Sequence, residues 1–358
     1  MLVFALSACS DDGGGGATAP TTTSTTDATT TAEPTTTAEP TTAPTATTDD
    51  ATGTTAAPTT GTTDATTDAT TDATGSTTDP GFDCAAIPAG PFTPEPLWSG
   101  YTGSEDLAFD GAGHLALKKD GQVVLVKADQ SETVLADGFP QVYGTRFATN
   151  GDLLAALPQA GVLQAIAPGG EISDLATGLV GPNGLYVDPG GRVWLTEFAG
   201  SRVVRFDANW SKVTIYEGPD AASANGVVLD PGRGVLFFTN YGAGRLLKLA
   251  VDDQGAPAGA PEQVASVQGA KLDGLALDVC GHVYAVDQGN SRLYRVRLDG
   301  RGAAVGEPEL LAEFPKNVAN AQFGAGPGFD SSSLYVAGNP GDVYRLEVGV
   351  PGAAIGLP

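Results

Sequence analysis

No lysine or arginine occurs before Lys118, and across the 358 residues 18 basic side chains face 42 acidic ones, a net charge of −24. A chain this acidic is repelled by nucleic acid and by anionic membrane surfaces, and neither is expected as a partner. Histidine occurs twice and cysteine three times. No Gly-x-Ser-x-Gly elbow is present, so a serine nucleophile has no signature. Gly-rich turns such as Asp188-Pro189-Gly190-Gly191 lack the lysine and helix of a phosphate loop. No segment sustains a helical period, and the apolar N-terminal run is too short to span a bilayer.

Large apolar side chains are themselves scarce between residue 10 and about residue 80, where Thr, Ala, Asp, Pro and Gly dominate. Such a stretch cannot bury a core. Runs of the form Thr-Thr-Asp-Ala, around Asp64, Asp68 and Asp72, carry only negative charge, and Pro20, Pro34, Pro40, Pro44 and Pro58 interrupt any regular element. Residues 10–81 therefore read as a disordered, self-repelling tether with an end-to-end distance of about 50 Å if it behaves as a coil. Ahead of it, Leu6-Ser7-Ala8-Cys9 matches the lipobox of bacterial lipoproteins. Residues 1–9 are expected to be the end of a signal peptide that lacks its basic region, with Cys9 lipidated. The chain is then exported and anchored at the cell envelope or surface, touching membrane only through Cys9.

From Phe82 onward ordinary apolar density returns, and with it a repeat: polar residue, Gly, then apolar-x-apolar-Asp-x-x-Gly. It reads Asn183-Gly184-Leu185-Tyr186-Val187-Asp188, Asn225-Gly226-Val227-Val228-Leu229-Asp230 and Asp273-Gly274-Leu275-Ala276-Leu277-Asp278, with a variant at Glu105-Asp106 and weaker copies at Tyr143 and Asn320. The leading positions 105, 143, 183, 225, 273 and 320 lie 38, 40, 42, 48 and 47 residues apart. Strand-like units at that period predict an all-β, six-bladed β-propeller over residues 82–358. Residues 84–98 precede the first repeat and are expected to supply the outer strand of the last blade, which removes an exposed edge.

Gly181-Pro182-Asn183-Gly184, Ala224-Asn225-Gly226 and Leu272–Asp278 resemble the SMP-30/gluconolactonase family, six-bladed propellers that bind a divalent metal, often Ca²⁺, on the central axis. The resemblance spans residues from about 90 to 347. It implies metal ligation by Glu105, Asn183, Asn225 and Asp273. Reading the residues alone reaches the same four. Equivalent positions on inner strands form a ring around the channel, and two carboxylates with two amide oxygens suit a hard cation. No His or Cys joins them, which disfavours zinc. The competing reading, that Asn-Gly and Asp-Gly are turn signals, accounts for three of the four but not for Glu105. Some relatives carry a substrate-holding Arg where this chain has Val180, Gly181 and Pro182, so sugar-lactone specificity does not carry over.

Two functions follow. The first is a metal-dependent hydrolase of a small lactone or ester, acting as a monomer, with Asp273 as ligand and general-base candidate. The second is a non-catalytic propeller of the NHL type that binds a protein or glycan. His114 and His282 follow turn glycines at the blade end opposite the ring, so a histidine dyad is not supported. Glu197 and Asn240 either line the pocket or begin turns. Trp98, Trp194 and Trp210 are assigned to packing. With Cys9 lipidated, Cys84 and Cys280 remain as one disulfide or as two separate buried thiols.

Overall fold

The computed structural model describes residues 81–358. Residues 10–80 of the expected tether and Cys9, the expected lipidation site, lie outside the described residues. Among those described, six four-stranded antiparallel sheets follow one another along the chain, the six blades of a propeller. Helix is confined to three 3₁₀ turns, Cys84–Ala86, Phe198–Gly200 and Pro219–Ala221.

The inner strands are the repeat segments themselves: Gly144–Phe147, Pro182–Val187, Ala224–Asp230, Leu272–Leu277 and Asn320–Phe323. Their residues are buried on both faces, as expected where one face meets the next blade and the other the channel. Outer strands are mostly exposed and carry the exposed Val134, Ile172 and Val213. The core is therefore a set of interfaces between blades. One cluster joins Trp194 and Val203 of blade three to Leu236, Phe237 and Leu246 of blade four. Another sets Phe109 of blade one against Phe329 and Tyr335 of blade six, edge-on, at ring separations of 4.9 and 5.2 Å.

The Asp-x-x-Gly of blades one, three and five is the turn between first and second strands. In blade three the Asp188 carboxylate accepts the Arg192 N–H (2.9 Å) and the Trp194 indole N–H (3.2 Å). Gly191, at φ +80°, supplies the left-handed residue the turn requires. The same clamp recurs where Asp278 accepts the N–H groups of Cys280 and His282.

Closure uses the segment before the first repeat. Glu95–Trp98 pairs antiparallel with Val343–Glu347 and completes blade six, so the outer strand is shorter than the expected 84–98. The rest of that segment is pinned elsewhere. Cys84 is disulfide-bonded to Cys280 with Cα atoms 5.6 Å apart. Cys84 lies in the first 3₁₀ turn rather than on the closing strand, and Cys280 in the Asp278–Gly281 turn of blade five. The buried Arg295 of blade five adds a second tie, donating to the Pro88 carbonyl at 2.7 Å.

Candidate functional site

The polar-Gly pair of the repeat lies on the inner strand in blades three, four and five, not in a turn. Pairing with the second strand skips there, between Pro182 and Leu185, Ala224 and Val227, and Leu272 and Leu275. Such a bulge re-aims the side chain at its centre. It also explains the glycine. A Cβ on Gly144 would lie 2.1 Å from the Asn183 carbonyl oxygen, on Gly184 2.1 Å from that of Asn225, and on Gly226 2.3 Å from that of Asp273. On Gly274 it would meet the Asn320 side-chain oxygen at 2.1 Å. Each ring residue is thus seated against the bare backbone of the blade before it, and Asn183, Asn225, Asp273 and Asn320 follow one another around the axis. Thr196 and Thr239 reinforce the steps, donating to the carbonyls of Asn225 (2.6 Å) and Asp273 (3.1 Å).

Blade one departs from this pattern. Its inner strand begins only at Ala108, so Glu105 sits in the approach to the strand. Asp106 replaces the glycine and makes the step to blade two with its side chain. Its carboxylate accepts the Thr145 N–H (2.8 Å) and the Arg146 guanidinium (2.6 Å). Arg146 is thereby a buried partner of Asp106.

Glu105 and Asp273, from blades one and five, are 8% and 2% exposed. Burial pushes the Glu105 carboxyl up to about 7, against the Asn339 amide, with the Asp106 charge adding to the rise. Burial likewise raises Asp273 well above the carboxylate range, and the negative charges of Glu105 and Asp106 raise it further, while the Asn225 side chain opposes them. The two carboxyls therefore feel each other across the channel, with Asn225 beside Asp273. Asp273 Oδ2 is buried without a hydrogen-bond partner. Asn183 stands one blade further round, seated as its counterparts are. Among the described residues no group of three or more His, Cys, Asp and Glu gathers. The cluster is one of carboxylates and amides.

Residues that the sequence did not single out complete the mouth. Asn339 of blade six donates to Glu105 Oε2 at 3.4 Å. The Tyr241 hydroxyl donates to Gln288 Oε1 at 2.7 Å, and its ring packs edge-on against Phe198 at 5.7 Å. Burial followed by the Asp273 and Glu105 charges pushes the Tyr241 hydroxyl up to about 12, and burial followed by the same charges raises Tyr143. Both phenols thus lie within the field of the carboxylate pair. Tyr143 is the blade-two counterpart of the ring residues, whereas Phe198, Tyr241 and Gln288 share a different repeat position, the first residue after the second strand.

Glu197 and Asn240 are latches and not pocket walls. Glu197 accepts the Val180 N–H (2.7 Å) and pairs with Arg202 (2.9 Å), and Asn240 accepts the Ala243 N–H (3.1 Å). His114 and His282 lie in the Asp-x-x-Gly turns. Burial, then the nearby arginines, holds His282 down to about 4, where its Nδ1 accepts the Leu298 N–H.

No family model matches the chain, and no curated protein matches it in sequence. Solved structures do match. A protein assigned as a gluconolactonase superposes with a TM-score of 0.62 and 18% identity, over 75% of this chain and 96% of that one. A gluconolactonase from Xanthomonas campestris gives 0.59 and 19%, over 74% and 99%. Regucalcin, a calcium-binding protein from Agrobacterium tumefaciens, gives 0.60 and 19%, over 75% and 98%. At these identities the likeness establishes the fold, a six-bladed propeller of the kind on which gluconolactonases and regucalcin are built.

Proposed function

We propose that the chain is a divalent-metal-dependent hydrolase of small lactones or esters, with the cation held on the propeller axis by Glu105, Asn183, Asn225 and Asp273. The observation that carries this reading is the buried Glu105–Asp273 pair. Two carboxyls are withdrawn from water near one another, neither has an ion-pair partner among the described residues, and one oxygen of Asp273 has no partner at all. Burying like charges in this way is costly unless a cation offsets them. The buried Arg146 is paired with Asp106 and not with either of them. Two carboxylates and two amide oxygens are the donor set of a hard cation, and Ca²⁺ suits them best. Its likeness to regucalcin and the gluconolactonases in fold is in keeping with this.

When bound, the cation would supply Lewis acidity for a substrate carbonyl. The chain supplies the rest. Asp273 is the proton acceptor for the water that adds to the carbonyl carbon, because a carboxylate held beside the cation can take a proton from that water. That proton passes to the departing alkoxide oxygen as the ring C–O bond breaks. Tyr143 and Tyr241 stay protonated at neutral pH and can donate to a substrate oxygen, and Phe198 with Tyr241 offers an apolar wall. The test is hydrolysis of a panel of aliphatic lactones and aryl esters by the full chain, with Ca²⁺ and after chelation. Activity that requires the metal and falls at least about a hundredfold in Asp273→Asn supports the reading. Tight Ca²⁺ binding without hydrolysis of any member of the panel would leave the non-catalytic binding propeller instead.

A further inference from the structure

The channel continues beyond the ring. The inner strands bulge at the ring position in blades three, four and five, and three residues beyond the leading position of each repeat stand Ala108, Arg146, Tyr186, Val228, Ala276 and Phe323. All but Ala108 line a cavity of about 290 Å³. Its far end is crossed by the C-terminal segment. The Ala353 N–H donates to the Leu277 carbonyl of blade five (2.8 Å), and the Gly356 N–H to the Val187 carbonyl of blade three (3.0 Å). Ala353, Ile355 and Leu357 thereby form the floor.

The walls decide what fits. Val228, Leu275, Leu277, Phe323 and Ile355 make them mostly apolar. The one charged side chain, Arg146, is already neutralised by Asp106 at 2.6 Å, so the cavity offers no uncompensated charge for an ion. Gln322 lines the same cavity, is 6% exposed, and its Oε1 has no hydrogen-bond partner. A buried amide oxygen left unpaired costs about 1–3 kcal/mol, which a donor on a ligand would recover. A hydroxyl both donates and accepts, so it satisfies the Gln322 amide in either orientation. An apolar cavity of about 150 Å³ holds benzene, so this one has room for roughly ten to twelve heavy atoms.

We propose that this cavity is a second ligand site, separate from the ring, for a neutral and largely apolar alcohol of about that size, with its hydroxyl on Gln322. The probes are 1-octanol, octanoate and heptyl methyl ether, titrated into the full chain by calorimetry and thermal denaturation in chelator. Octanol should bind one site and raise Tm. Octanoate, of equal length but charged, should bind at least about tenfold more weakly, because its carboxylate meets no free cation. The ether, which cannot donate, should bind on the order of fivefold more weakly. Ala276→Leu should weaken octanol binding by filling the cavity, and Asp273→Asn should leave it unchanged. If Ala276→Leu does not fold, Gln322→Leu serves, and should erase the preference of octanol over the ether. Failure of octanol to bind, equal binding of octanoate, a preference that survives Gln322→Leu, or loss of binding in Asp273→Asn would each overturn the proposal.

Discussion

Replacing Glu105 with Gln keeps the shape of the side chain and removes its ability to carry charge. In the folded, metal-free protein burial lifts this carboxyl from 4.5 to about 7. Between those values the folded chain holds a proton that the unfolded chain has released. The stability Glu105 allows is fully present below pH about 4.5 and is lost as pH rises through about 7. A rise of roughly two and a half in pH, at about 1.4 kcal/mol for each, is worth roughly 3 kcal/mol. Glu105 is nearly buried, so solvent screening removes little of it. Glu105→Gln should therefore match wild type near pH 4.5 and be more stable by about 3 kcal/mol at about pH 8, a rise in Tm of roughly 5–10 °C for a domain of this size. Asp278, raised to about 6, and His282, lowered to about 4, titrate alike in both proteins, whereas Asp273 loses the upward push of the Glu105 charge in the variant, which adds to the difference in the same direction. The assay is thermal denaturation followed by circular dichroism in chelator across about pH 4.5–8. Parallel pH profiles for the two proteins, or a variant less stable at the alkaline end, would refute the reasoning. Saturating Ca²⁺ should reverse the order, because only wild type then has its charge offset.

Two further substitutions probe how the ring is built. In Gly226→Ala the new methyl would sit 2.3 Å from the Asp273 carbonyl and 2.9 Å from Leu275 Cγ, so blades four and five must part. A loss of about 1–3 kcal/mol in denaturant unfolding is expected, together with weaker Ca²⁺ binding, and wild-type values for both would contradict the seating described here. Cys84→Ser opens a bridge between residues 196 apart in sequence, for which loop-closure entropy gives a loss of about 3–5 kcal/mol. Urea unfolding with and without reductant measures it, and no difference between the two proteins under oxidising conditions would count against a stabilising role.

The propeller was legible in the sequence because its repeat encodes two local requirements at a fixed period. Asp188 and Gly191 make a turn, and Gly184 allows a close approach between blades. Both are met by residue identity alone. The ring residues were legible for the same reason, since Asn183, Asn225 and Asp273 each stand beside such a glycine. Glu105 was read from its counterpart position, although Asp106 replaces the glycine there, and what Asp106 does needed the fold: its partner Arg146 is forty residues away on the next blade. The mouth residues Tyr241, Gln288 and Asn339 come from the loops between second and third strands of blades four, five and six, where residue type differs from blade to blade and only the position repeats. The Cys84 pairing was narrowed by counting, but its place in a 3₁₀ turn rests on how residues 84–94 wrap blades five and six. The floor of the channel was not foreseen at all, because residues 352–357 form no strand and their placement depends on backbone groups of distant blades.

The most direct test of the metal site is a calorimetric titration of Ca²⁺ into the metal-free full chain and into Asp273→Asn. The substitution keeps the size of a side chain that faces the channel and not the interfaces between blades, so circular dichroism should report an unchanged fold. Wild type should bind one Ca²⁺ per chain, and the variant should bind at least about a hundredfold more weakly, since a hard cation held by two carboxylates depends strongly on each. No binding to wild type, or equal affinity in Asp273→Asn, would contradict a cation site built from Glu105, Asn183, Asn225 and Asp273.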